Sequence, residues 1–337
     1  MVRGDSTVLV TGVAGFIGAA VAEALMTRGQ PVVGIDNLND YYQVSLKQAR
    51  LDRLTARFGN LFHFRKVDFS DMAALSDALT EVRFASIVHL GAQAGVRYSL
   101  ENPQAYVASN LAGHVNMLEL ARSREVAHMV YASSSSVYGG SSKLPFAVED
   151  PTDHPVSLYA ATKKADELMS ETYAHLVRIP LTGLRFFTVY GPWGRPDMAL
   201  WKFTERILSD RPIDVYNHGD MHRDFTDIDD IVSGILACHD QPPFDNGMEK
   251  AGGSVKPHAL YNIGNNRSEH LMRMIEVLEL ACGRKAQLNL LPMQPGDVPA
   301  TYADITALTR DTGYAPSTPI EEGVPLFVDW FRDCHKM

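Results

Sequence analysis

Thr7-Val-Leu-Val-Thr11 runs directly into Gly12-Val-Ala-Gly15-Phe-Ile-Gly18, and this stretch decides the fold. A short β-branched run ended by glycine reads as a buried parallel strand. From Phe16 to Gly29 the apolar residues Ile17, Val21 and Leu25 keep helical spacing up to a closing glycine. At the junction, Gly12 lets the chain turn, Gly15 admits phosphates close to the backbone, and Gly18 lets helix and strand pack. The helix N-terminus then offers free N–H groups and a positive dipole end to an anion. A tight turn with helix-packing glycines is the plain alternative, and Asp36 argues against it. Asp36 follows the second strand, Pro31–Ile35. There a carboxylate accepts hydrogen bonds from a ribose diol and repels a 2′-phosphate. No arginine follows at once, so the expected cofactor is NAD rather than NADP.

Further apolar runs at Leu61–Lys66, Ser86–Leu90, His128–Ala132 and Leu181–Phe187 alternate with helical stretches near 46–57, 72–81, 103–123 and 157–176. Strands alternating with helices predict an α/β fold, a Rossmann-type doubly wound parallel sheet. After Phe187 the chain changes character: Gly191-Pro-Trp-Gly-Arg-Pro is rich in turn formers, and shorter elements follow. A helix near Thr226–His239 and a strand near Leu260–Ile263 are placed to rejoin the sheet. The expected organisation is a dinucleotide-binding domain over 1–190, with 226–265 returning to it. A smaller C-terminal α/β substrate-binding lobe takes 191–225 and 266–337.

The 337 residues allow one large or two modest domains. A net charge of −9 argues against broad binding to nucleic acid or anionic membranes, so an anionic ligand must rely on local basic groups. Cys238, Cys282 and Cys334 show no Cys-x-x-Cys spacing and read as unpaired thiols of a reducing compartment. The histidines are read as forming no ligand cluster, so no metal site is expected. Met1–Thr11 lacks the charged start and long apolar run of a leader, and no 18-residue apolar run occurs. The expected location is cytoplasmic.

Tyr159-Ala-Ala-Thr-Lys163 follows Ser133-Ser134-Ser135-Ser136-Val-Tyr-Gly. A tyrosine and a lysine four residues apart share one face of a helix. There an ammonium favours ionisation of a phenol whose ordinary pKa is ~10, and a hydroxyl from the upstream strand end can share the proton. This is machinery for taking a proton off an alcohol. The same spacing fits a solvated helix face, and it gains meaning from the dinucleotide site on the same chain. Asp68, in Val67-Asp-Phe69, can meet an adenine amino group or cap the helix near Met72, a role that fits Asp71 better. Leu90-Gly-Ala92-Gln-Ala94-Gly95 ends the fourth strand with small residues that let a bulky cofactor pass, or simply turn the chain.

Together the glycine turn, Ser134, the Tyr159–Lys163 pair and the large C-terminal lobe resemble the extended short-chain dehydrogenase/reductase superfamily. Within it the whole chain is similar to NAD-dependent nucleotide-sugar 4-epimerases, those of UDP-glucuronate in particular. The stretches that carry this are Asp36-Asn-Leu-Asn-Asp-Tyr-Tyr42, Ala92-Gln-Ala-Gly-Val-Arg-Tyr-Ser99, Arg185-Phe-Phe-Thr-Val-Tyr-Gly-Pro-Trp-Gly-Arg-Pro-Asp-Met198 and Arg223-Asp-Phe-Thr-Asp-Ile-Asp-Asp230. Gly91 departs from the alanine usual in relatives and removes only a methyl group.

The resemblance implies a cofactor-binding set of Gly12, Gly15, Phe16, Ile17, Gly18, Asp36, Asn37, Asp68, Phe69, Leu90, Ala92, Ala94, Tyr159 and Lys163. It implies that Tyr159, aided by Lys163, takes the proton from a sugar 4-hydroxyl as the C4 hydride leaves for NAD, with Ser134 relaying or orienting that proton. The 4-keto sugar then turns over and is reduced on its other face. Ser134-Ser135-Ser136 carries only hydroxyls. Related 4,6-dehydratases look like Thr-Asp-Glu there and related decarboxylases carry a glutamate, so epimerase chemistry is favoured over elimination.

A 4-keto uronate is a β-keto acid, which loses CO₂ when its carboxylate bond aligns with the ketone. Ser135, Ser136 and Thr188 can hold the carboxylate out of line with hydroxyl hydrogen bonds, and Arg195 with charge. Thr188 is singled out because related UDP-galactose epimerases look like asparagine there. Strand-end capping and, for Arg195, a solvated loop charge are the alternatives. For the UDP half, Arg223 is the leading phosphate ligand, Tyr216 is implied near the uracil, and Asp297 at the sugar-side rim. Arg97 and Arg185 reach the substrate or brace the sheet, and a structural ion pair fits Arg185 at least as well. Relatives also imply a homodimer through the helices near 103–123 and 157–176, for which Leu111, Val115 and Leu118 offer an apolar stripe that fits packing on the sheet equally well. An epimerase of neutral UDP-sugars such as UDP-glucose and UDP-galactose, a UDP-glucuronate decarboxylase, and a catalytically silent NAD-binding sensor or scaffold stay open as alternatives.

Overall fold

The computed structural model describes residues 6–294 and 296–336. The ends of the two expected domains at 1–5 and 337, and the first residues of the stretch 1–11 read for a leader, lie outside the described residues. Seven strands form one parallel sheet. In chain order these are β1 (Val8–Thr11), β2 (Val32–Asp36), β3 (Phe62–Lys66), β4 (Ser86–His89), β5 (His128–Ser134), β6 (Leu181–Phe186) and the strand His258–Ile263. Their spatial order is His258–Ile263, β6, β5, β4, β1, β2, β3, the doubly wound arrangement expected. β1 and β2 are buried at every position, which is why they read as unbroken apolar runs. β1 pairs with β2 on one side and β4 on the other. The winding reverses there, and a crevice opens beyond the C-terminal ends of these strands.

Helix α1 (Phe16–Thr27) follows β1, and α2 (Val44–Phe58) follows β2. Helix α3 (Met72–Ala78) is capped by Asp71, whose carboxylate accepts the N–H groups of Ala73 and Ala74 at 3.0 Å each. The helix Leu158–Val177 starts where the Ser157 hydroxyl accepts the Ala160 N–H at 3.1 Å. β5 runs two residues past its expected end at Ala132, because Ser133 and Ser134 still pair with Arg185 and Phe186 of β6. The helix expected near Thr226–His239 is Ile228–Asp240. Thr226 belongs instead to the short strand Phe225–Asp227, paired with Thr188–Tyr190.

The stretch 103–123 is not one regular helix. Pro103–Tyr106 passes through a wide π turn, Val107–Ala112, into Gly113–Ser123. Tertiary bonding accounts for the widening. Buried Asn110 accepts the Gln93 N–H at 2.8 Å and donates to the Gln93 carbonyl at 3.1 Å and the Thr162 hydroxyl at 3.0 Å. It thereby clamps the segment after β4 to the Leu158–Val177 helix, a position typical of π turns near functional sites.

A second core gathers Leu278, Trp201, Phe327 and Phe331 from the helices Ala199–Leu208, Leu271–Cys282 and Ile320–His335. Trp201 meets Phe331 edge-on with ring centroids 5.1 Å apart. Within 266–337 some residues pack elsewhere: Ala303, Ile305, Leu308 and Tyr314 enter the core of the large sheet. Asn262 of the last strand draws this stretch in by donating to the Asp304 carbonyl at 3.1 Å. Among the described residues no helix is long and apolar enough to cross a membrane.

Replacing Asn110 with alanine strips partners from both buried backbone groups of Gln93, at about 1–3 kcal/mol for each group. The expected result is a lower urea midpoint at unchanged slope. An unchanged midpoint would show the clamp to be dispensable.

Candidate active site

A cleft of about 250 Å³ lies beyond the ends of β1, β2, β4 and β5. Every residue expected at the dinucleotide lines it except Asp68. The turn accepts little but glycine. A Cβ on Gly18 would sit 2.1 Å from the Gly12 carbonyl oxygen and one on Gly15 2.9 Å from the same atom, while Gly12 itself has φ +67°. Asp36 accepts the N–H groups of Ala14 at 3.2 Å and Leu38 at 2.8 Å, one on each oxygen. Each oxygen keeps lone-pair capacity that suits a ribose diol. Burial pushes the Asp36 carboxyl up, against the N–H groups and the charges of Lys47 and Arg50. These features fit an NAD adenosine and pyrophosphate.

Asp68 stands behind the cleft wall and accepts from Asn37 Nδ2 at 2.8 Å and from the Ser70 N–H and hydroxyl. Burial pushes its carboxyl up, but these hydrogen bonds outweigh it and hold the group below its ordinary range. Its place is to orient Asn37, which does line the cleft. Gly91 also does more than lose a methyl group: a Cβ there would lie 2.6 Å from the Phe69 ring. An alanine would have to displace that ring.

At the other end of the cleft stand Ser134, Tyr159 and Lys163. Tyr159 is half-buried, whereas Lys163 is buried. The Lys163 ammonium donates to the Ala132 carbonyl at 3.0 Å and to Asp166 at 2.9 Å, which leaves one of its three N–H groups for the cleft. Asp166 was missed by the sequence reading, although its i, i+3 spacing from Lys163 was a signal. Burial pushes its carboxyl up to about 6, opposed by the Lys163 charge. Ser134 Oγ accepts the Ser136 N–H at 3.2 Å. Ser135 and Ser136 themselves begin a 3-10 turn, Ser135–Tyr138, outside the cleft lining.

Ser133 and Arg185 are structural. The Ser133 hydroxyl donates to Glu167 at 2.6 Å, and Arg185 grips both Glu167 oxygens at 2.8 and 2.9 Å. Arg195 lines the cleft and makes a two-pronged pair with Asp197, to which Tyr41 also donates at 3.2 Å. It is therefore a fixed cation rather than a solvated loop charge. Thr188 lies outside the main cleft, in an adjoining recess of about 40 Å³ whose wall Arg195 shares. Arg97, Tyr216, Arg223 and Asp297 are brought together in a separate group. Arg97 pairs with Asp297 at 2.9 Å and covers the Tyr216 ring at 4.8 Å. Arg223 donates to the carbonyls of Val298 at 2.8 Å and Pro299 at 3.2 Å.

Two further features escaped the sequence reading. Arg50, on the buried side of α2, donates to the carbonyls of Ala14, Trp193 and Gly194 and to the Tyr42 hydroxyl. The ligand atoms of Asp220, His222 and His270 lie within 4.8 Å of one another, which the expectation of no metal site overlooked. His218-Gly-Asp-Met-His222 was a visible signal, but strand pairing alone brings in His270.

A glycine turn with an aspartate at the end of the second strand, sharing one cleft with a serine, a tyrosine and a lysine, defines an extended short-chain dehydrogenase/reductase. Residues 8–264 match the NAD dependent epimerase/dehydratase family, and the chain belongs to it. It is 49% identical to a probable UDP-glucuronate 4-epimerase of Rhizobium meliloti, covering 96% of each chain. It is 46% identical to UDP-glucuronate 4-epimerase 1 of Arabidopsis thaliana, over 97% of this chain and 77% of that protein. Among solved structures it resembles the UDP-glucuronic acid 4-epimerase of Bacillus cereus in complex with UDP-glucuronic acid and NAD. That likeness has a TM-score of 0.86 at 31% identity, over 97% of this chain and 99% of that one.

Glu167→Gln leaves the buried Arg185 guanidinium without its counter-charge and should cost about 3–5 kcal/mol of stability. Urea unfolding measures this. An unchanged midpoint together with a raised KM would instead make Arg185 a substrate ligand.

Proposed function

We propose that the chain is an NAD-dependent 4-epimerase that interconverts UDP-glucuronate and UDP-galacturonate through a 4-keto intermediate. The observation that carries this reading is that Ser134, Tyr159, Lys163 and Arg195 line one cleft with the glycine turn. Bound NAD supplies a hydride acceptor and, after the sugar has turned, the matching donor. Tyr159 takes the proton of the 4-hydroxyl and returns it to the same oxygen. Lys163 holds positive charge beside that exchange, anchored by Ala132 and Asp166. Ser134 orients the proton at the end of β5. The row Ser134-Ser135-Ser136 offers no carboxylate for elimination.

Arg195 and Thr188 meet at the recess beside the cleft and are assigned to the sugar carboxylate, with Ser135 and Ser136, just past the end of β5, as further hydroxyls. Arg223 is assigned to the diphosphate, Tyr216 to the uracil, and Arg97 and Asp297 to the rim. In this reading residues 1–190 and 226–265 serve NAD, and 191–225 and 266–337 serve the UDP-sugar. The protein is further proposed to be a cytoplasmic homodimer. Three free cysteines suit a reducing compartment. On the two helices assigned to the dimer, Val107 and Leu168 are exposed, and Leu111 and Val115 are half-buried.

Proton NMR of the anomeric signals, with UDP-glucuronate as substrate, tests the activity. UDP-galacturonate should appear and equilibrate. A pentose product would make the protein a decarboxylase, and an inert mixture would transfer the reading to neutral UDP-sugars. Tyr159→Phe should lose at least ~10²-fold in kcat, the scale for removing a general acid/base, with NAD content of the purified protein unchanged. A variant as active as an active parent would take Tyr159 out of the proton transfer, and a parent inert on all these sugars would leave only a sensor or scaffold. Light scattering at micromolar concentration should give twice the 37.2 kDa chain mass, and a monomer would remove the dimer.

A further inference from the structure

We propose that Asp220, His222 and His270 form a binding site for a divalent transition ion of the zinc class. The site follows from strand geometry. His222–Arg223 and Glu269–His270 form a two-stranded antiparallel ribbon in which His222 stands directly opposite His270. Directly paired residues project from the same face of a ribbon. Asp220 lies in the tight turn just before His222, where the Met221 N–H donates to the Gly219 carbonyl at 2.9 Å, and that turn sets its carboxylate beside the histidine pair. The imidazole rings meet edge to face with centroids 4.9 Å apart. One ligand atom from each of the three residues lies within 4.8 Å of the others.

The backbone beneath is fixed before any ion arrives. The His222 N–H donates to the Pro299 carbonyl at 2.9 Å, and its carbonyl accepts from Thr301 at 3.1 Å. Asp220 donates to the Asn217 carbonyl at 2.9 Å, and Leu271 to that of Met221 at 2.8 Å. Among the described residues, neither the His222 ring nitrogens nor the Asp220 carboxylate has a hydrogen-bond or ion-pair partner in the chain. Two lone-pair donors thus face one another unused. His270 is different, because its Nδ1 accepts the Met272 N–H at 3.2 Å as the cap of the Leu271–Cys282 helix. A neutral ring in that role carries its proton on Nε2 and must release either that proton or the cap to ligate. A single cap contributes far less than a metal–imidazole bond, so the ion prevails.

Two imidazoles and one carboxylate are donors for zinc, cobalt or nickel, rather than for magnesium or calcium, which prefer all-oxygen shells. Zinc bonds of ~2.0–2.1 Å in a tetrahedron separate donors by about 3.3 Å. The side chains, within 4.8 Å of one another, must therefore close by at most about 1.5 Å, a rotamer adjustment open to one exposed and two half-buried groups. The fourth position is left to water. The ion staples the strand that carries Arg223 to the first turn of the Leu271–Cys282 helix.

The test uses the full chain, treated with chelator and desalted, with Co²⁺ as spectroscopic probe and Zn²⁺ as competitor. One Co²⁺ per chain should bind with visible ligand-field bands, be displaced by Zn²⁺, and raise the thermal midpoint with concentration. His222→Ala and, separately, the exposed Asp220→Asn should each weaken binding at least ~10-fold, with circular dichroism unchanged. Failure of the parent protein to take up Co²⁺ saturably overturns the proposal. So does binding in both Asp220→Asn and His222→Ala as tight as in the parent protein, because the ion then sits elsewhere.

Discussion

Arg50 is a cation with no exposed surface and no carboxylate in its hydrogen-bond shell, and both ends of the cleft depend on it. Its Nη1 donates to the Ala14 carbonyl at 2.9 Å and the Tyr42 hydroxyl at 2.8 Å. Its Nη2 donates to the carbonyls of Trp193 at 2.6 Å and Gly194 at 3.0 Å. Burial pushes this guanidinium down, opposed by Tyr42 and by the Asp36 charge. A buried charge is costly unless its donors are met. Nε is left without a partner among the described residues, while four oxygens from three segments meet the donors of Nη1 and Nη2. One of these lies inside the glycine turn, and two immediately precede Arg195. The turn that would receive the pyrophosphate and the loop that brings Arg195 into the cleft are therefore held by the same planar fork. A lysine could not span them, because its donors radiate from one point.

Other buried polar groups repeat this arrangement on a smaller scale. Asn110 ties the segment after β4 to the Leu158–Val177 helix through Thr162. Glu167, one turn further along that helix from Lys163, ties it to β5 through Ser133 and to β6 through Arg185. Lys163 itself is bonded to the backbone of β5 at Ala132. The helix that carries Tyr159 is thus pinned to the sheet by directional bonds at two successive levels, Lys163 and Glu167, and to the Val107–Ala112 turn through Thr162. Apolar packing alone would allow it to slide or roll, since dispersion contacts are non-directional. The proton exchange proposed for Tyr159 demands placement to a fraction of an ångström, and these bonds suit that demand.

What the sequence revealed was what local pattern encodes. The glycine turn, Asp36 beyond the second strand, and the four-residue step from Tyr159 to Lys163 each lie within one or two elements, so spacing alone placed them. The parallel sheet followed from alternation. Ser133 and Ser134 were read as lying past the strand because hydroxyls ended the apolar run, yet ladder pairing with β6 carries the strand through them. The π turn at Val107–Ala112 was hidden because its cause, Gln93, is distant in sequence. Arg50 was hidden because a charged residue on a helix reads as solvated until its four acceptors are in place. His222 and His270 lie 48 positions apart in the sequence and meet only through strand pairing.

The treatment of Arg195 bears most directly on the proposed chemistry. A free arginine beside a sugar acid would draw the carboxylate by charge and leave its rotation loosely defined. Here two of the five guanidinium N–H groups are committed to Asp197, whose carboxylate also takes the Tyr41 hydroxyl. Burial and the Asp197 pair act in opposite senses on this cation, and the pair prevails, holding it firmly protonated. Its field at the substrate is reduced by the neighbouring negative charge, while its remaining donors point in fixed directions. Binding of a sugar carboxylate then depends on angle more than on attraction. That suits a 4-keto uronate, because the bond to its carboxylate must stay out of line with the ketone for the whole time the ring is turning. An ion pair formed in advance within the chain meets this need better than a stronger, freely rotating charge.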